Sequence, residues 1–266
     1  MSRWKAASIH LALSALIIGT VVALVLWRWY PPALLRMSGA GTLIGLIAIV
    51  DVVAGPLLTL ILFRAGKPGL RFDLTMIALA QAALLGYGLF TLASIRPVYL
   101  VGAVDRLELV AANELDEADL AQAAERYRRL SWTGPQRVGA KSPQDADLRM
   151  IILDRALAGT DIHLMPSLYV PFEEVQEGLR QRAFALTELL ASADARERAR
   201  IESALDGRSV ESVACLPINS RRGVATMLID AASGEPLRAV DVDIWDVLSR
   251  RTVPQAKAKA EAEAGD

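Results

Sequence analysis

The chain has 266 residues, of which 53% are hydrophobic and 22% charged, with a formal net charge of −1. That balance gives no electrostatic reason to expect nucleic acid, and the single cysteine, Cys215, excludes an intrachain disulfide or a cysteine-rich metal site. The averages conceal an asymmetry: nearly all long apolar runs lie before residue 96 and most charges follow it, so two parts of different solvent preference are joined.

The first run, Ser8–Trp27, has about the 20 residues that carry a helix across a bilayer. Arg3, Trp4 and Lys5 precede it and Trp27, Arg28, Trp29 and Tyr30 close it, the aromatic and basic flanks of interfacial anchors. It is long for a cleaved signal peptide and ends in bulky aromatics, which favours an uncleaved anchor. The second run is Gly41–Phe63 and the third Phe72–Ile95. The connections Arg28–Ala40 and Arg64–Arg71 are short and rich in Pro, Gly and Arg, so three antiparallel transmembrane helices are expected over 8–27, 41–63 and 72–95.

A carboxylate, Asp51, sits near the middle of the second run, where a charge facing lipid costs at least several kcal/mol. Asp51 lies about 18 Å along its helix from Phe63 and Gln81 about 14 Å from Phe72, so the two polar groups reach similar depth. Ala48, Asp51, Gly55 and Thr59 share one helix face, small and polar enough for another helix to approach closely. Helix one offers a matching small strip at Ala12, Ala15, Gly19 and Ala23. Pro56 should kink helix two and free a carbonyl near residue 52. The expected roles are an internal hydrogen bond to Gln81, Thr59 or Tyr87, a contact with a partner's helix, or ion conduction.

Beyond Pro97 the pattern changes. Val98–Ala112 reads as two short strands, Asp116–Leu130 as an amphipathic helix, Gly134–Ala146 as a loop, "DLRMIILDRALAG" as a second helix and Phe172–Leu205 as a third helical stretch. "ESVACLPINS" reads as a strand, "SRRG" as a basic turn, and Val224–Asp230 with Leu237–Ile244 as a hairpin. The expected fold is therefore a membrane protein with three transmembrane helices over 1–96, then an α+β extramembrane domain with a small antiparallel sheet over 97–250. The low-complexity end, 251–266, reads as a disordered tail.

Positions for chemistry are few. No G-x-S-x-G, H-E-x-x-H, P-loop or dinucleotide fingerprint is present. His10 and His163 lie too far apart in sequence to start a metal site, and Cys215 in "VACLP" reads as a small buried hydrophobe. Glu173 and Glu174 open a solvated helix. The reading is non-enzymatic, with no catalytic residue, cofactor or metal.

The segments "RWKAASIHLALSALI", "IVDVVAGPLLTLILF" and "LRFDLTMIALAQAALLGYGLFTLASIRPVYLV" resemble the TfpX/TfpZ family of type IV pilin accessory proteins. That family has a comparable D-V-V-x-G-P-L-L-T-L segment and an R-x-D-L start to its third helix. The resemblance covers roughly residues 3–105, and "MLIDAASGEPLRAVDVDIW" fits the family's closing hairpin. It implies an inner-membrane protein that assists assembly or surface display of a cognate type IV pilin, as chaperone or modulator, without joining the fibre. It carries over no catalytic residue.

Arg3, Lys5, Arg64, Lys67 and Arg71 lie on one side of the membrane, and Arg28, Arg36, Arg96 and Arg106 on the other. This bias places the N-terminus in the cytoplasm and the C-terminal domain, in a bacterial cell, in the periplasm. The expected partners are the pilin's membrane helix and head and the lipid bilayer, with Ala48, Asp51, Gly55, Pro56, Thr59 and Gln81 as helix–helix or pilin contacts; self-association stays open. Two alternatives also stay open: a membrane-anchored periplasmic ligand-binding or sensor subunit, and a small transporter component using Asp51.

Overall fold

The computed structural model describes residues 1–250, so the expected tail at 251–266 lies outside the described residues. Three helices are long and apolar enough to cross a membrane: Arg3–Arg28, Ala40–Leu62 and Leu70–Ser94. These are the first, second and third membrane helices below. Ser2 caps the first by accepting from the Lys5 N–H. The second packs against both others, which make few direct contacts with each other. In the half nearer the extramembrane domain the three converge on Ile18, Val25, Tyr30, Ala40, Ile47 and Leu92.

The connection Arg28–Ala40 is more than a link. Pro32–Ser38 forms a short helix with Pro32 in its first turn, and it stops at Gly39, whose φ of 69° is left-handed. Arg222 packs so closely on Gly39 that a side chain there would collide with it. This helix leaves the bundle and inserts Leu34 and Met37 into the core of the extramembrane domain. The Ser220 hydroxyl donates to the Met37 carbonyl at 2.9 Å, and Arg36 meets Asp241 at 2.9 Å. A second joint forms where Trp29 donates to the Trp132 carbonyl at 3.1 Å and the Arg96 guanidinium stacks 3.8 Å from the Trp132 ring centre.

The extramembrane strands are β1 Pro97–Ala103, β2 Arg106–Ala111, β3 Gln136–Ala140, β4 Tyr169–Val170, β5 Phe184–Ala185, β6 Val213–Ser220, β7 Gly223–Asp230 and β8 Pro236–Val240. They build one eight-stranded sheet in the order β4-β3-β1-β2-β6-β7-β8, with β5 paired to β6. The hairpins β1–β2, β6–β7 and β7–β8 are antiparallel, as strands joined by short turns lead one to expect. The sheet is larger than those hairpins alone, because β3 pairs parallel to β1 and β6 parallel to β2.

One sheet face is covered by helices Pro32–Ser38 and Glu173–Arg180 around Leu107, Leu109, Leu216, Ile218 and Ile229. The other holds two clusters, one around Tyr99, Tyr127 and Tyr169 and one around Leu189, Ile201, Cys215 and Leu228. Burial on both faces explains why β1 is apolar throughout and not alternating.

Four local readings differ from the structure, the first being the hairpin strand expected over Leu237–Ile244, which ends at Val240. The loop expected at Gly134–Ala146 contains β3. The helix expected at Asp116–Leu130 breaks at Ala123, which is extended, into Glu117–Gln122 and Glu125–Arg128. The helical stretch Phe172–Leu205 divides into Glu173–Arg180, Leu186–Ser192 and Ala195–Ala204, with β5 completing the sheet between the first two.

Candidate functional site

The second membrane helix changes pitch where its sequence requires it. An α-helix would pair the Asp51 carbonyl with the Gly55 N–H. Here Val50–Ala54 forms a wider π-helical turn, and the Gly55 N–H bonds to the Val50 carbonyl instead. In that register the donor for the Asp51 carbonyl is Pro56, which has no N–H. The carbonyl expected to be freed near residue 52 is that of Asp51, and the wider turn replaces the expected simple kink.

Gln81 of the third helix fills the gap. Its amide nitrogen donates to the Asp51 backbone carbonyl at 3.0 Å and lies 3.3 Å from the carboxylate Oδ1. Gly55 makes room, since a Cβ there would occupy the space of the Gln81 amide. The Gln81 carbonyl accepts from His10 Nε2 of the first helix at 2.9 Å. With the ring neutral, His10 Nδ1 then accepts the Thr59 hydroxyl proton at 2.6 Å. One continuous polar seam, Thr59–His10–Gln81–Asp51, therefore ties all three membrane helices together. Asp51 and Thr59 are 4% and 3% exposed, and Asp51 Oδ2 has no hydrogen-bond partner among the described residues.

The structure thus turns Asp51, Gly55, Pro56 and Thr59 into the bundle, leaves Ala48 half-buried, and brings Gln81 onto Asp51. Tyr87 faces outward. The small strip on helix one is a correction: Ala12, Ala15, Gly19 and Ala23 all face outward, and the helix packs through Ala6, Ser14, Ile18 and Val25. The member that sequence reasoning missed is His10, weighed only as a metal ligand. Its signal was available, because a histidine inside an apolar span calls for a partner at its own depth.

A cleft of about 410 Å³ opens beside this seam, in the half of the bundle remote from the sheet domain. Ala6, Ile9, Leu13 and Ile17 line one wall, Leu74 and Ala78 the other, and His10, Ser14, Thr59 and Gln81 supply its polar atoms. A second cavity, of about 250 Å³, lies at the joint between bundle and domain, where Met37, Ile95 and Pro97 meet Glu114, Arg221 and Arg222. On the domain surface, helix Ala146–Leu157 has no buried residue and displays Leu148, Met150, Ile151, Leu153 and Leu157. Exposed apolar side chains in such number make this helix a candidate contact surface.

Chemistry of other kinds finds no such assembly. Among the described residues no group of three or more His, Cys, Asp or Glu is placed to hold a metal ion. Burial pushes the Cys215 thiol up to about 12, which leaves it a packing group and not a nucleophile. His163 lies against Asp161 at 3.9 Å, and its carbonyl accepts the Tyr169 hydroxyl.

No family model matches the chain, and no solved structure matches it. Among curated proteins it is 26% identical over 247 residues to the fimbrial assembly protein of Dichelobacter nodosus serogroup I, covering 91% of this chain and 96% of that one. The serogroup E1 protein of the same organism matches at the same identity and coverage. The protein of serogroups C1 and C2 is 30% identical over 121 residues, which is 45% of this chain and 92% of its relative. A relative at that identity, matched over nearly its whole length, places this chain in the family of fimbrial assembly proteins.

Proposed function

We propose that the chain is a non-enzymatic inner-membrane accessory protein, a chaperone or modulator of the TfpX/TfpZ kind, acting in the assembly or display of a cognate type IV pilin. The observation that carries this reading is full-length similarity to proteins named for fimbrial assembly, spanning both the membrane bundle and the sheet domain. The Lys and Arg distribution supports a cytoplasmic N-terminus and a periplasmic domain over 97–250. In this arrangement the bundle meets the pilin's membrane helix while the sheet domain, with the exposed apolar side chains of helix Ala146–Leu157, meets its head.

The residues Ala48, Asp51, Gly55, Pro56, Thr59 and Gln81 act here by shaping the bundle, since most of that face is committed inward. The two joints to the sheet domain make bundle and domain one platform, so a helix and a head can be held together. Deleting the chain tests the reading by counting surface pili at constant pilin expression. Altered piliation that depends on which pilin is present is expected; unchanged piliation with every pilin offered would overturn it.

A further inference from the structure

The cleft between the first and third membrane helices has an unmet hydrogen bond. Hydroxyls in membrane helices usually satisfy themselves on the carbonyl one turn back. Thr20, Thr91 and Ser94 do so, bonding to Leu16, Tyr87 and Phe90 at 2.8–2.9 Å. Ser14 does not. It is 7% exposed, it lines the cleft, and its hydroxyl takes no hydrogen bond within the described residues. Thr59, the other buried aliphatic hydroxyl of the bundle, is paired to His10.

We infer that this cleft receives the membrane helix of the pilin, and that a hydroxyl, amide or carboxylic acid on that helix bonds to Ser14. The inference rests on the proposed function and names the part of the bundle that performs it. Two features select a helix over lipid. A lipid tail fills apolar volume but offers no partner to a buried hydroxyl, and only a helix brings a polar side chain to that depth with its own backbone satisfied. Each wall also carries a small residue, Ala6 on the first helix and Ala78 on the third, of the kind that lets another helix approach closely. The seam behind the cleft sets the spacing of its walls. The His10–Gln81 bond ties the first helix to the third, and Gly55 lets the Gln81 amide sit close against the second helix.

Photo-crosslinking residues placed singly in the full-length chain, in cells that make the pilin, test this. Leu13 and Ala78 report on the cleft, Leu57 and Phe90 on outward faces of the bundle, and Ile151 on the sheet domain. Pilin captured from Leu13 and Ala78 but not from Leu57 and Phe90 is the expected result. Capture from Ile151 alone would overturn the cleft and leave the proposed function standing. Capture of a second copy of this chain at Leu13 and Ala78, or of pilin equally at all four membrane positions, would also overturn the cleft. No pilin at any position would overturn both readings.

Ala78→Trp fills the cleft and should lower crosslinking from Leu13 at least fivefold, while Ala83→Trp on the outward face leaves it unchanged. An equal melting temperature for the two variants in detergent separates a filled cleft from a misfolded bundle. Ser14→Ala, which leaves the cleft open, should weaken pilin capture by about threefold, the scale of one hydrogen bond between membrane helices.

Discussion

The sheet domain keeps Leu107, Ile218, Leu228 and Ile229 from water, whereas the membrane bundle turns Leu13, Ile61 and Phe90 outward and Ser14, Asp51 and Thr59 inward. In the domain, removing apolar area from water drives packing. In the bundle, lipid is as apolar as leucine, so close approach and hydrogen bonds between helices decide which faces meet. The contrast teaches where specificity resides in each part. The domain distributes it over many apolar contacts, while the bundle concentrates it in a few polar atoms.

The contrast breaks most visibly on truncation. Ile218→Ala, at a fully buried position, should cost roughly 2–5 kcal/mol through lost burial and a residual cavity. Ile61→Ala on the outward face should leave the melting temperature in detergent unchanged. Equal losses from the two would show that both regions pack by one rule.

Inserting bulk into the seam comes next. Gly55→Leu pushes against Gln81 and should cost roughly 1–3 kcal/mol by overpacking. Gly45→Leu on the same helix, where nothing lies within 4 Å, should be neutral or stabilising in the same melt. A smaller effect, about 0.6 to 1.7 kcal/mol, is expected for Gln81→Leu, which takes the partner from His10 Nε2 and from the Asp51 carbonyl. Pro56→Ala sharpens this by returning an N–H to the segment facing the Asp51 carbonyl. In a double-mutant cycle Gln81→Leu should then cost less than in the parent.

The smallest change lies in the domain. Val104 turns the β1–β2 hairpin with a φ of 57°, a conformation that a β-branched residue adopts only with strain. Val104→Gly should therefore stabilise the domain by about 1 kcal/mol in thermal unfolding.

Much of the bundle was legible because its constraints are one-dimensional. Apolar length fixed three spans, the i, i+4 spacing fixed the Asp51–Gly55–Thr59 face, and depth along each helix put Gln81 beside Asp51. Spacing names a face but not its partner, and here the reading of helix one failed. Both Ala12–Ala15–Gly19–Ala23 and Ser14–Ile18–Val25 are helix-periodic, and the structure packs the second. Helix Pro32–Ser38 carried its signals in plain view, a proline at the start, a glycine after the end, and Leu34 and Met37 three apart. The same Pro, Gly and Arg content also describes a link, and only the sheet it docks on distinguishes the two. Strands β3 and β5 were illegible for a related reason. They are five and two residues long, and their neighbours in the sheet lie far away in sequence.

The most direct measurement is co-capture. Membranes from cells making the pilin are dissolved in mild detergent, and the full-length chain is withdrawn by an affinity tag. Pilin eluting with the chain, in an amount that falls with Ala78→Trp and persists with Ala83→Trp, is the predicted result. Pilin found wholly in the unbound fraction, with the chain itself intact and folded, would contradict the account.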